Sequence, residues 1–132
     1  MGESDRQPNA SARRRWGWVG TVLLLLIIPV KLIRWSDVAS ANFLVGIAPS
    51  LLGPAGLFFL LRSGGGRLGR TSLPANALIT AAIALGLEFV QLMPRPGILA
   101  RVHYTFDWLD VAASVVSLAA ALLVASLFRS RR

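Results

Sequence analysis

The sequence predicts an all-α fold, an integral membrane four-helix bundle with cytoplasmic N- and C-termini. Three observations predict it. First, 55% of the 132 residues are hydrophobic and only 15% are charged, against about 25% charged in an ordinary soluble domain; mean hydropathy is +0.62. Second, residues 38–61 form a run of 24 positions without a charge, and roughly 20 apolar residues cross a hydrocarbon core of about 30 Å. Third, the arginines fall in blocks between apolar runs rather than along them. The chain has no Cys, which excludes disulfides, thiolate catalysis and Cys-type zinc sites.

The elements follow in order. Residues 1–15, MGESDRQPNASARRR, are polar and close on three arginines; they are expected to be a disordered basic cytoplasmic tail. The four-helix domain is expected over 16–128. Its first span is expected at 16–35. The uncharged part, 16–30, is about 22 Å long at 1.5 Å per residue, and reaches across if Lys31 and Arg34 extend to the far interface. Trp16, Trp18 and Trp35 stand at its two ends, where aromatic belts are expected. A signal peptide is the competing reading, with Ala39-Ser40-Ala41 as a cleavage site. Lys31, Arg34 and Asp37, between the apolar run and that site, speak against it.

The second span is expected at 38–61, bent by Pro49 and Pro54. Membrane helices tolerate such breaks when neighbours satisfy the freed carbonyls. Residues 62–73, RSGGGRLGRTSL, read as a connector. Their GGG run lacks the Lys-Ser/Thr of a phosphate loop. The third span is expected at 74–93, with Pro74 in its first turn and one charge, Glu88. A Pro/Gly loop follows, and the fourth span is expected at 108–128. Residues 129–132 are a short basic tail.

Four spans put both termini on one side. That side receives ten arginines, at 6, 13, 14, 15, 62, 67, 70, 129, 131 and 132; the other receives four cations, Lys31, Arg34, Arg95 and Arg101. Excess Lys and Arg mark the cytoplasmic face, so the first and third loops face outward from the cell membrane. The net charge of +8 is thereby assigned to topology, and no nucleic-acid partner is expected.

Lipid gives helices no hydrophobic reason to associate, so close packing relies on small residues. Small or polar side chains recur at near-3.5-residue spacing in three spans. These are Asn42, Gly46, Pro49, Gly53 and Gly56; Ala77, Ala81, Ala84, Glu88 and Gln91; and Asp110, Ser114, Ser117 and Ala121. The first span, rich in Leu and Ile, carries no comparable seam and is expected to be the most lipid-exposed.

Glu88, Asp107 and Asp110 are three of the six acidic residues. The antiparallel third and fourth spans bring them, with Gln91, to similar depth at the outward end, below Arg95, Arg101, His103 and Tyr104. Asp107 and Asp110 also suit an N-cap and its third helical position. Arg95 and Arg101 suit contacts to lipid phosphate. His103 has no second His or Cys and does not suggest a transition-metal site. A carboxylate inside a span, as at Glu88, marks a functional site by default; an inter-helix hydrogen bond or ion pair is the structural alternative.

Glu88-x-x-Gln91, a Pro/Gly loop, then Thr105-Phe106-Asp107-x-x-Asp110, on the last two of four spans, resembles the VanZ-like family of small bacterial membrane proteins. The resemblance covers about 85–121. It departs at Tyr104, where the family carries Arg, so Arg95 or Arg101 would have to replace it. It departs also at Ser114, where the family has Asn, and at Ser117 and Ala121, where it has Gly. The resemblance implies an envelope membrane protein, with a namesake linked to low-level teicoplanin resistance.

Three function classes follow. The first is a non-enzymatic membrane protein whose acidic and amide cluster binds an envelope lipid headgroup, a cell-wall precursor or glycopeptide-related ligand, or a partner helix, including a second copy. The second is an enzyme acting on a lipid phosphate. There Glu88 would serve as general base, or Glu88, Asp107 and Asp110 would hold a divalent cation such as Mg²⁺ or Ca²⁺, with Arg95 and Arg101 on the phosphate. The third is a small dimeric exporter, but small exporters of four spans carry their essential Glu in the first span, which here has no acid. No other cofactor is expected.

Overall fold

Prolines and glycines decide where this chain bends and where its helices touch. The computed structural model describes residues 10–35, 43–90, 93 and 107–130. The first span comprises two helices, α1 (Ala10–Leu25) and α2 (Ile27–Trp35), with a turn at Leu26 between them. Pro29 has no N–H to donate to the Leu25 carbonyl four residues back, so the ladder loosens there. The following bond, from Val30 N to Leu26 O, is stretched to 3.5 Å. The second span is α3 (Phe43–Ser63), the third α5 (Leu73–Val90) and the fourth α6 (Trp108–Ser130); one short turn, α4 (Gly66–Gly69), lies in the connector. All four spans are long and apolar enough to cross a membrane, and no strand occurs among the described residues.

α1 begins at Ala10, six residues before the expected start of the span. Ala and Arg extend a helix readily once it is anchored. The anchor is Trp16, whose ring stacks on Phe59 at 5.1 Å and meets Phe128 edge-on at 5.6 Å. The start of α1, the end of α3 and the end of α6 thus converge. Leu73, opening α5, joins the same core as Phe58, Phe59, Ala121 and Ala125. Both described chain ends therefore lie at one end of the bundle, with Arg13, Arg14, Arg15, Arg62, Arg67 and Arg70. α3 and α6 run parallel; α1 runs antiparallel to α3.

The first span keeps the smallest buried share of the four, as its Leu and Ile content predicts. It does carry a small-residue seam, contrary to expectation. A Cβ added at Gly20 would sit 2.7 Å from the Gly56 carbonyl oxygen and 2.7 Å from the Leu60 nitrogen. One added at Gly56 would meet the Leu24 side chain at 2.9 Å. Backbones touch at this crossing, and only glycine permits it. At the basic end, Arg62 is buried and donates to the Thr71 carbonyl at 2.7 Å, pinning the connector under α3.

Candidate functional site

α3 runs unbroken through Pro49 and Pro54, and the polar residues of the opposite end gather where Pro54 omits one ladder hydrogen bond. Proline at 54 leaves the Ser50 carbonyl without its helical donor. Ser114 of α6 supplies one: its Oγ donates to Ser50 O at 3.3 Å. One turn further along the same interface, Ser117 Oγ donates to the Leu51 carbonyl. Most helix hydroxyls bond back to their own helix, as Ser63, Thr80 and Ser126 do here. Ser114 and Ser117 instead bridge two parallel spans. Both are buried.

Above them stands Asp110. Ser50 Oγ donates to Asp110 Oδ1 at 2.9 Å, so one serine accepts through its backbone and donates through its side chain. Asp110 is half-buried and is joined to α3 by this bond. Asp107 does a different job. It is exposed and precedes the helix, and its Oδ1 accepts from the Leu109 N–H at 2.9 Å, an N-cap. Its carbonyl accepts from Asp110 N at 3.0 Å. The two aspartates therefore diverge, one to the helix end and one to the neighbouring span.

Glu88 lies in the last described turn of α5, half-buried, at the same end of the bundle. It has a hydrogen bond or electrostatic interaction of its own. A divalent-cation site would need Glu88, Asp107 and Asp110 together, but among the described residues no three acidic or imidazole side chains gather closely enough to hold one. Asp107 caps its helix and Asp110 accepts from Ser50. Gln91, Arg95, Arg101, His103, Tyr104 and Asn42 lie outside the described residues.

Of the predicted seams, Ser114, Ser117 and Ala121 are buried, as is Gly56. In α5 the buried stripe is Leu73, Asn76 and Thr80, adjacent to the line through Ala77, Ala81, Ala84 and Glu88. Ser50 was not among the expected site residues. Its signal was present, a hydroxyl four residues before a proline. Asn76 was also missed. It is 1% exposed, and its Nδ2 has no hydrogen-bond acceptor among the described residues.

The chain matches no family model, no curated protein and no solved structure.

Proposed function

We propose that the chain is a small, non-enzymatic, VanZ-like protein of the cell membrane that binds a polar envelope ligand at its acidic end. Both termini lie in the cytoplasm and the acidic end faces outward. The observation that carries this reading is the placing of Asp110 on a spanning helix, held by Ser50, at the end away from the arginine blocks. The arginine asymmetry supports the orientation. An ionised carboxylate accepts at both oxygens, and Ser50 is the one described side chain that donates to Asp110. Remaining acceptor capacity at the membrane surface suits an amine or hydroxyl of a headgroup or glycopeptide. The ordered set Glu88-x-x-Gln91 and Thr105-Phe106-Asp107-x-x-Asp110 supports the family resemblance, and with it a ligand near the cell-wall precursor on the outer face.

The test is expression in a teicoplanin-susceptible bacterial host. The expected result is a raised tolerated teicoplanin concentration, removed by Glu88→Gln or Asp110→Asn at equal membrane protein level. No change on expression, or unchanged tolerance in both variants, would contradict the proposal. Turnover of an envelope lipid by the purified protein, abolished by Glu88→Gln, would move the reading to an enzyme.

A further inference from the structure

At the basic end, a groove of about 530 Å³ opens between the start of α1 and the end of α3. Its α1 wall includes Arg13, Arg14, Gly17, Trp18 and Thr21, a single helical stripe at i, i+1, i+4, i+5 and i+8. Across from it stand Ser63 and Gly65. The stripe changes chemistry with depth. Two guanidinium groups lie at the top, and Trp18 and Thr21 lie about 7 to 12 Å lower along the helix axis at 1.5 Å per residue. Trp18 is 63% exposed, so its ring flanks the groove instead of filling the core as Trp16 does. Gly17 lets the two walls come close at the floor, since a Cβ there would stand 3.2 Å from Ser63 Oγ. The three described carboxylates, Glu88, Asp107 and Asp110, all belong to the opposite end.

We infer that this groove binds the headgroup of an anionic phospholipid, with the phosphate at Arg13 and Arg14 and the glycerol region beside Trp18 and Thr21. Guanidinium forks suit phosphate oxygens, and an interfacial indole suits the boundary between headgroup and chain. The exposed Trp18 ring beside two guanidinium groups favours an amphiphile over a bare anion. The inference is independent of the outward ligand and of which side of the membrane the basic end faces.

The test uses the full chain, purified in detergent and offered equimolar phosphatidylglycerol and phosphatidylcholine, with retained lipid read by native mass spectrometry. Wild type is expected to retain phosphatidylglycerol preferentially. Arg13→Gln with Arg14→Gln is expected to lower that preference about 25-fold, taking each basic side chain at an anionic surface as worth about five-fold. Arg67→Gln with Arg70→Gln removes the same charge from two exposed positions at the same end and is expected to keep the preference. Arg13→Lys with Arg14→Lys is expected to recover part of it. Equal losses in the two Gln pairs would overturn the groove in favour of a diffuse basic belt. Displacement of the lipid by millimolar inorganic phosphate would overturn a lipid site in favour of a free-anion site. Absence of any preference in wild type would overturn the inference.

Discussion

Ser50 links two neighbours on α6. Its carbonyl takes the Ser114 hydroxyl because Pro54 withholds a backbone donor, and its own hydroxyl serves Asp110. Leaving a buried polar group unmet costs about 1–3 kcal/mol, although inter-helix bonds inside membranes average nearer about 0.6 kcal/mol. Ser114→Ala is therefore expected to lower stability by about 1 kcal/mol. In a Pro54→Ala background the penalty should largely vanish, because the backbone N–H restored at position 54 would return to the Ser50 carbonyl. Reversible unfolding of the four chains of this cycle, in mixed micelles, measures the coupling; equal penalties in both backgrounds would refute it. Asn76 gives a second residue-scale expectation. Its buried amide lacks an acceptor among the described residues, so the near-isosteric Asn76→Leu should raise stability by about 1–3 kcal/mol in the same unfolding measurement.

At the scale of elements, α1 and α3 are joined by touching backbones at Gly20 and Gly56. Gly20→Val should cost about 1–3 kcal/mol or more, the usual range for forced overpacking. A Cβ at Gly86 meets nothing within 4 Å. Gly86→Ala should accordingly be neutral, or stabilise by up to about 1 kcal/mol through helix propensity. Thermal denaturation of the two variants beside wild type separates these outcomes. The contrast also explains what could be read from sequence. Span number and order were legible because uncharged runs of bilayer length have few other readings. The α6 seam was legible because Ser114, Ser117 and Ala121 repeat at helical spacing. The α1 seam was not, because Gly17 and Gly20 stand among bulky residues and acquire meaning only opposite Gly56 and Ser63. Pro54 announced a freed carbonyl, but only the parallel placing of α3 and α6 brought Ser114 to it. In the acidic pair, spacing alone could not separate a cap from an inter-helix acceptor.

At the scale of the whole molecule, charge and polarity are segregated by end. Arg13, Arg14, Arg15, Arg62, Arg67 and Arg70, the connector and both described chain ends share one end; Asp107, Asp110 and Glu88 share the other, where α2 also brings Lys31 and Arg34. Exposed Leu, Ile, Val and Phe side chains cover the length between them, as lipid contact requires. Trp18 and Trp108, 63% and 71% exposed, mark the two interfaces. In the proposed orientation, the acidic end is what the outside of the cell meets. The chain has no Cys, so single substitutions report cleanly in intact cells. Arg67→Cys, Leu99→Cys and Ser130→Cys should be probed with a membrane-impermeant maleimide. That orientation predicts labelling at 99 from outside, and labelling at 67 and 130 only after the membrane is opened. Labelling at 67 and 130 in intact cells, with 99 protected, would invert the bundle and contradict an outward ligand site at Asp110.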